Sequence, residues 1–238
     1  QDVLAIIREE AYYFAPQGMT KIMNEGWATF WHTKLMTEKI LSDSEIIDYA
    51  DHHSGTVSQQ PGRLNPYRLG VELFRDIRDR WDKGKFGKEY EECDDWEKKK
   101  RWNREINQGL QKIFEVRKYY NDITFIDTFF TEEFAREHKF FTYKHDSDSG
   151  QYVIESRDFK KIKEKLLFSL TNLGQPYIEI IDANYENRSE LYLKHRFEGV
   201  ELHRGYAQEA LKNLFKLWTR PVVIETAAED KTILFRYD

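Results

Sequence analysis

Residues 19–39 read MTKIMNEGWATFWHTKLMTEK. Met19, Ile22, Met23, Trp27, Phe30, Trp31 and Leu35 recur at three- and four-residue intervals, so a helix here presents one wide apolar face. That helix is expected to be largely buried, with Trp27, Phe30 and Trp31 in the core. Upstream, residues 1–14 carry a second helical pattern that should stop before Ala15-Pro16-Gln17-Gly18, where proline and glycine break it. Downstream, Ser42-Asp43-Ser44-Glu45 opens a third helix in capping fashion, expected to end before His52-His53-Ser54-Gly55. Gly55 to Pro66 should be an ordered loop, and Asn65 ahead of Pro66 starts an amphipathic helix reaching Trp81.

From Asp82 to Arg104 charges of both signs dominate, which is the pattern of a solvated face. Residues 107–120 read as helix, residues 122–130 fit helix or strand, and Thr131-Glu132-Glu133 opens a further short helix. The texture changes at residues 144–150, where His145-Asp146-Ser147-Asp148-Ser149-Gly150 is rich in turn formers. A boundary is expected there, between a mostly helical domain over 1–143 and an α+β domain over 151–238. In the second part, strands are expected at 151–155, 177–182, 190–197, 221–226 and 231–237, with helices at 158–170 and 205–218. The fold class is therefore α+β, and the carboxyl-terminal part should be an antiparallel sheet with two helices, a ferredoxin-like βαββαβ plus one strand.

The chain has 238 residues, long enough to bury a sizeable core, and 30 of them are Tyr or Phe, 14 and 16 respectively. With 37 basic and 42 acidic residues the net charge is −5, which offers phosphate backbones and anionic lipid no overall attraction, so nucleic acid is not an expected partner. No apolar run approaches the ~20 residues that span a bilayer, and no basic-then-apolar leader opens the chain, so a cytoplasmic location is expected. The single cysteine, Cys93, lies in the acidic run Glu91-Glu92-Cys93-Asp94-Asp95, which disfavours a thiolate and with it a nucleophilic role. Gln1 stands directly inside an amphipathic pattern, which reads as a chain cut from something longer.

Glu25 and His32 lie seven residues apart, two turns along one helix face. A carboxylate and an imidazole among Trp27, Phe30 and Trp31 must be paired, hydrogen-bonded, metal-bound or solvated at the edge of the apolar stripe. Glu9 and Glu10 form a second acidic pair, with Glu10 on the apolar side of the first helix. His195 alternates with Leu191, Leu193 and Phe197 on one face of an expected strand, the position of a satisfied core histidine.

Arg8-Glu9-Glu10-Ala11-Tyr12-Tyr13-Phe14, then Asn24-Glu25-Gly26-Trp27-Ala28 and His32, resemble the stage V sporulation protein R family, and the chain looks like the carboxyl-terminal part of such a protein. Asn65-Pro66-Tyr67-Arg68-Leu69-Gly70 and Leu191 to Val200 resemble the family as well. The resemblance implies a protein of sporulation, acting in the formation of spore cortex peptidoglycan through an unknown biochemical step, with contacts to its own amino-terminal segment; the absence of a complete catalytic motif and the appended α+β unit favour an assembly or regulatory factor with protein partners. It also singles out His53 of the pair His52-His53 as the residue to join Glu25 and His32. A Glu, His, His set suits a divalent metal such as zinc. The Glu-Gly-Trp-Ala string further resembles the helix that supplies a glutamate ligand in some gluzincin-type metallopeptidases, but their His-Glu-x-x-His motif does not occur here. The alternative function is thus a metal-dependent hydrolase-like protein whose site is completed from outside the chain.

Overall fold

The computed structural model describes residues 2–60, 63–146, 150–198, 200–228 and 231–238. They form two compact units, Gln1–Leu173 and Gly174–Asp238. In the first unit α1 covers Asp2–Gly18, α2 Lys21–Leu35, α3 Ile46–Thr56 and α4 Pro66–Lys83. The short α5 (Lys88–Glu91) and α6 (Trp96–Lys100) follow, then α7 (Gly109–Tyr119), α8 (Asp122–Phe129) and α9 (Glu132–Glu137). A hairpin of β1 (Thr142–Asp146) and β2 (Gln151–Ser156) precedes α10 (Phe159–Leu170).

The apolar spacing of residues 19–39 does form a helix, α2, which continues into one π-helical turn, Met36–Ile40. α2 lies against α4 at unusually short range, because glycines meet at the crossing. A Cβ built on Gly26 would stand 2.3 Å from the backbone carbon of Gly70, and one built on Gly70 would stand 2.3 Å from the carbonyl oxygen of Ile22. No side chain can occupy either position without moving a helix. Around this crossing Met23, Leu69, Leu73, Phe74 and Ile77 are buried together with Ile113, Val116, Phe125, Ile126 and Phe129 of α7 and α8. Phe30 is buried with them, whereas Trp27 and Trp31 are half-buried at the core's edge.

Two polar devices fix the ends of these helices. Asn65 caps α4, accepting hydrogen bonds from the N–H groups of Tyr67 and Arg68 while its amide donates to the carbonyls of Thr56 and Ser58, with Pro66 at the first helical position. The buried Asp122 carboxylate accepts the N–H groups of Ile22 at 2.8 Å and Met23 at 2.9 Å, so the start of α8 closes the start of α2. Burial holds its carboxyl above the ordinary aspartate value, and the backbone donors oppose that rise.

Several elements differ from their sequence-based bounds. α1 runs through Pro16 to Gly18 and buries none of its residues. α3 does not stop before His52-His53 but carries both to its last turn. β1 is a strand that the sequence pattern does not announce, and β2 pairs with it rather than with a larger sheet. α10 packs into the helical core through Ile162, with Phe159 stacked 6.0 Å from Phe130. The break expected at residues 144–150 falls in the β1–β2 hairpin, and Ser147, Asp148 and Ser149 at its centre lie outside the described residues.

The second unit orders β3 (Ile178–Tyr185), β4 (Glu190–His195), β5 (Val222–Ala228) and β6 (Lys231–Tyr237) side by side. α11 (Arg204–Trp218) carries the chain from β4 to β5, which pair in parallel, while β3–β4 and β5–β6 are antiparallel. The α+β class stands. The ferredoxin-like arrangement does not, because β4 and β5 pair in parallel and the sheet is mixed, with α11 packed on it through Leu211, Leu214 and Phe215. His195 is buried on the core side and shares a 2.8 Å hydrogen bond with Thr226.

The glycine crossing can be tested by substitution. Gly26→Ala and Gly70→Ala should each destabilise the protein by ~3 kcal/mol, the upper end of ordinary overpacking, because the new methyl meets backbone rather than a movable side-chain end. Gly55→Ala, in open space on α3, should be neutral or stabilising. Urea denaturation of the three variants distinguishes crowding from a general loss of glycine.

Candidate functional site

The residue set Glu25, His32 and His53 lies on α2 and α3 of the first unit. Each side chain has a partner of its own. The Glu25 carboxylate accepts a hydrogen bond from the Tyr67 hydroxyl on the first turn of α4, and that negative charge pushes the phenol above its ordinary value. His32, exposed near the end of α2, places Nδ1 3.1 Å from the Tyr49 hydroxyl, which itself donates to Thr33 Oγ1 at 3.3 Å. A phenol has one proton, so with that proton on Thr33 the imidazole presents Nδ1–H to Tyr49 and keeps Nε2 as its free acceptor.

His53 is half-buried, one helical turn after Tyr49, and their rings stack with centroids 5.7 Å apart. Tyr49 is thus in ring contact with both imidazoles, its centroid 5.6 Å from that of His32. Burial lowers the His53 pKa, and the positive charges of Arg75 and His32 lower it further against the opposing pull of Glu72. Glu72 is itself held by Arg75 at 2.9 Å and lies 4.0 Å from Nδ1 of His138.

Among the described residues no group of three His, Cys, Asp or Glu is close enough together to hold a metal ion. Glu25, His32 and His53 are accordingly not such a group among the described residues. Locally, α3 carries His53 in its last turn rather than on a returning loop, Tyr49 touches both imidazole rings, and the Tyr67 hydroxyl donates to the Glu25 carboxylate. His52 is exposed, as are Glu9 and Glu10 on α1, so neither acidic residue is a buried second carboxylate. Cys93 is half-buried with Sγ 3.7 Å from the Asp95 carbonyl. The residues that the sequence did not flag are Tyr49, Tyr67 and Glu72. The four-residue spacing of Tyr49 and His53 was the available signal for the first.

The motif residues instead hold helices together. Asn24 accepts from the Arg117 guanidinium of α7 at 2.8 Å, Glu25 reaches α4, and Gly26 makes the crossing. Trp27 packs edge-on to Phe74, Trp31 and Phe114, with ring centroids 5.4, 5.6 and 5.0 Å away.

A helical unit built on this aromatic and glycine crossing, followed by a small mixed sheet with one crossover helix, defines an α+β protein of two units. The chain belongs to the SpoVR family: the model described as "SpoVR like protein" matches residues 1–175 and that described as "SpoVR-like C-terminal domain" matches residues 176–229. It is similar to "Uncharacterized protein YcgB" of Escherichia coli (strain K12), 28% identical over 98% of this chain and 47% of that protein. The chain thus spans about half the length of the curated relative it matches. The reading of it as a carboxyl-terminal part is not borne out, since the family matches run from residue 1 to residue 229. No solved structure matches the chain.

The lowered His53 pKa has a defined sign for stability. Between its folded value and the unfolded value of ~6.5, the unfolded chain binds a proton that the folded chain does not. The contribution of a neutral His53 is therefore complete above pH ~6.5 and is lost as pH falls through the folded value. Urea unfolding at pH 7 and pH 5 should show a smaller loss of stability in His53→Gln than in the wild type. Equal losses would mean that His53 titrates as an exposed imidazole.

Proposed function

We propose that this chain acts in sporulation, in the cytoplasm, as an assembly or regulatory factor in the formation of the spore cortex peptidoglycan. Family membership supports the process. The observation that supports an assembly role is α1. Val3, Leu4, Ile6, Ile7, Tyr13 and Phe14 are all exposed on it, Leu4 at 73% and Tyr13 at 76%. Apolar exposure on that scale marks a surface that is covered in use.

Its occupant in this reading is the portion of the longer family protein that the chain does not span, because the relative is about twice as long as the region it shares with this chain. The second polar feature, the Glu25–Tyr67 and His32–Tyr49–His53 contacts, serves to hold α2, α3 and α4 in place. Among the described residues no helix is long and apolar enough to cross a membrane.

The experiment is an exchange of Ile7 and Phe14 for aspartate in the full-length protein of a sporulating host. Since α1 buries nothing within this chain, the thermal midpoint of the 238-residue chain should not move. Spores of the variant should lack cortex and lose heat resistance. A variant that forms heat-resistant spores as the wild type does would remove α1 from the function.

A further inference from the structure

The first unit contains a cavity of about 490 Å³ that Glu25, His32 and His53 do not line. It lies where the loop before α4, the start of α4, the segment after α9, β1 and α10 converge. Its size is that of a site for a small organic molecule. Phe140, Ile162 and Leu166 give it an apolar wall, and Arg63, Arg68 and Lys139 stand around it.

The charges at this cavity are one-sided. No carboxylate lines it among the described residues, and Arg63, Arg68 and Lys139 have no carboxylate partner among them. Lys165, a fourth cation at the wall, is paired with Glu155 at 2.9 Å, so that pair adds no net charge. His138, also at the wall, lies 4.0 Å from Glu72. Three cations without carboxylate partners therefore gather at one concavity of a chain whose net charge is −5. The overall field of such a chain repels anions, so the local excess is a feature of this site rather than of the surface at large.

Backbone geometry places two of the three cations. Arg68 sits in the first turn of α4, where its N–H is fixed by the Asn65 cap at 3.2 Å and its guanidinium lies 3.5 Å from the His138 carbonyl. Lys139 stands at φ 57°, a left-handed position directly after α9 that sets the direction of the chain into Phe140. A single carboxylate is matched by one guanidinium, whereas three cations match a group with two or more negative charges. Guanidinium forks fit phosphate oxygens in the same way, two donors to two acceptors.

We propose that this cavity binds a phosphate-bearing small molecule, its phosphate between Arg63, Arg68 and Lys139 and its ring or apolar part against Phe140, Ile162 and Leu166. This reading is independent of the role assigned to α1. The ligand chemistry has two sources, a free phosphate or diphosphate and a phosphorylated organic body, and the apolar wall favours the second.

Isothermal titration of the chain at moderate salt with ADP, inorganic pyrophosphate and succinate tests the site. ADP should bind more tightly than pyrophosphate, and succinate should bind least. Arg63→Gln with Arg68→Gln should weaken ADP by about tenfold for each guanidinium lost. Lys139→Asn, which keeps a residue type suited to the left-handed backbone, should weaken it with an unchanged ligand-free thermal midpoint, so that loss of affinity is not confused with loss of fold. Pyrophosphate binding as tightly as ADP would overturn the part assigned to the apolar wall. Absence of ADP and pyrophosphate binding at millimolar concentration, succinate binding as tightly as either, or equal ADP affinity in the wild type and all variants would overturn the site itself.

Discussion

The contact between Gly26 of α2 and Gly70 of α4 is the constraint on which the first unit depends. Glycine inside a helix costs about 1 kcal/mol relative to alanine, so two of them facing each other need a compensating gain. That gain is proximity. With no Cβ on either side the two backbones meet, and the flanking large residues, Trp27 against Phe74 on one side and Met23 and Leu69 in the core, close around the crossing. The same register sets Glu25, one residue before Gly26, within hydrogen-bond reach of Tyr67, three residues before Gly70. Two stretches distant in sequence are thus read as one structural unit.

The string Asn24-Glu25-Gly26-Trp27, which resembles the surroundings of a metal ligand, is held by its own packing. Every side chain in it has a partner on another helix: Arg117 for Asn24, Tyr67 for Glu25, and aromatic rings for Trp27. An acidic residue on a tightly packed helix has to be satisfied, and a tyrosine hydroxyl satisfies it as a metal ion would. Residue type and spacing alone do not distinguish the two.

Much of the fold was legible because it follows from local rules. The 3.6-residue spacing of Met23, Trp27, Phe30 and Trp31 predicted α2, and Asn65-Pro66 fixed the start of α4 to the residue. The change to alternation after residue 150 pointed to the α+β class. What local rules could not supply was partnership. The apolar stripe of α10 shows that it packs, but not that its partner is Phe130, on which Phe159 stacks. Likewise Thr142-Tyr143-Lys144-His145-Asp146 becomes a strand only because β2 lies beside it. At the site, the family resemblance named His53 together with His32, but Tyr49, whose ring contacts both, was not legible, since it carries no charge or motif to draw the eye. The basic cavity was hidden for the same reason, because Arg63, Arg68 and Lys139 come from separate segments.

Native-state hydrogen exchange tests the central place of the glycine crossing most directly. If α2 and α4 are joined there as one cooperative body, their core amides should exchange with the same free energy, equal to that of global unfolding, while the amides of α1 exchange far more easily. Exchange of α2 at a clearly lower free energy than α4 would show that the core around α4 persists with the crossing open, and would contradict the account.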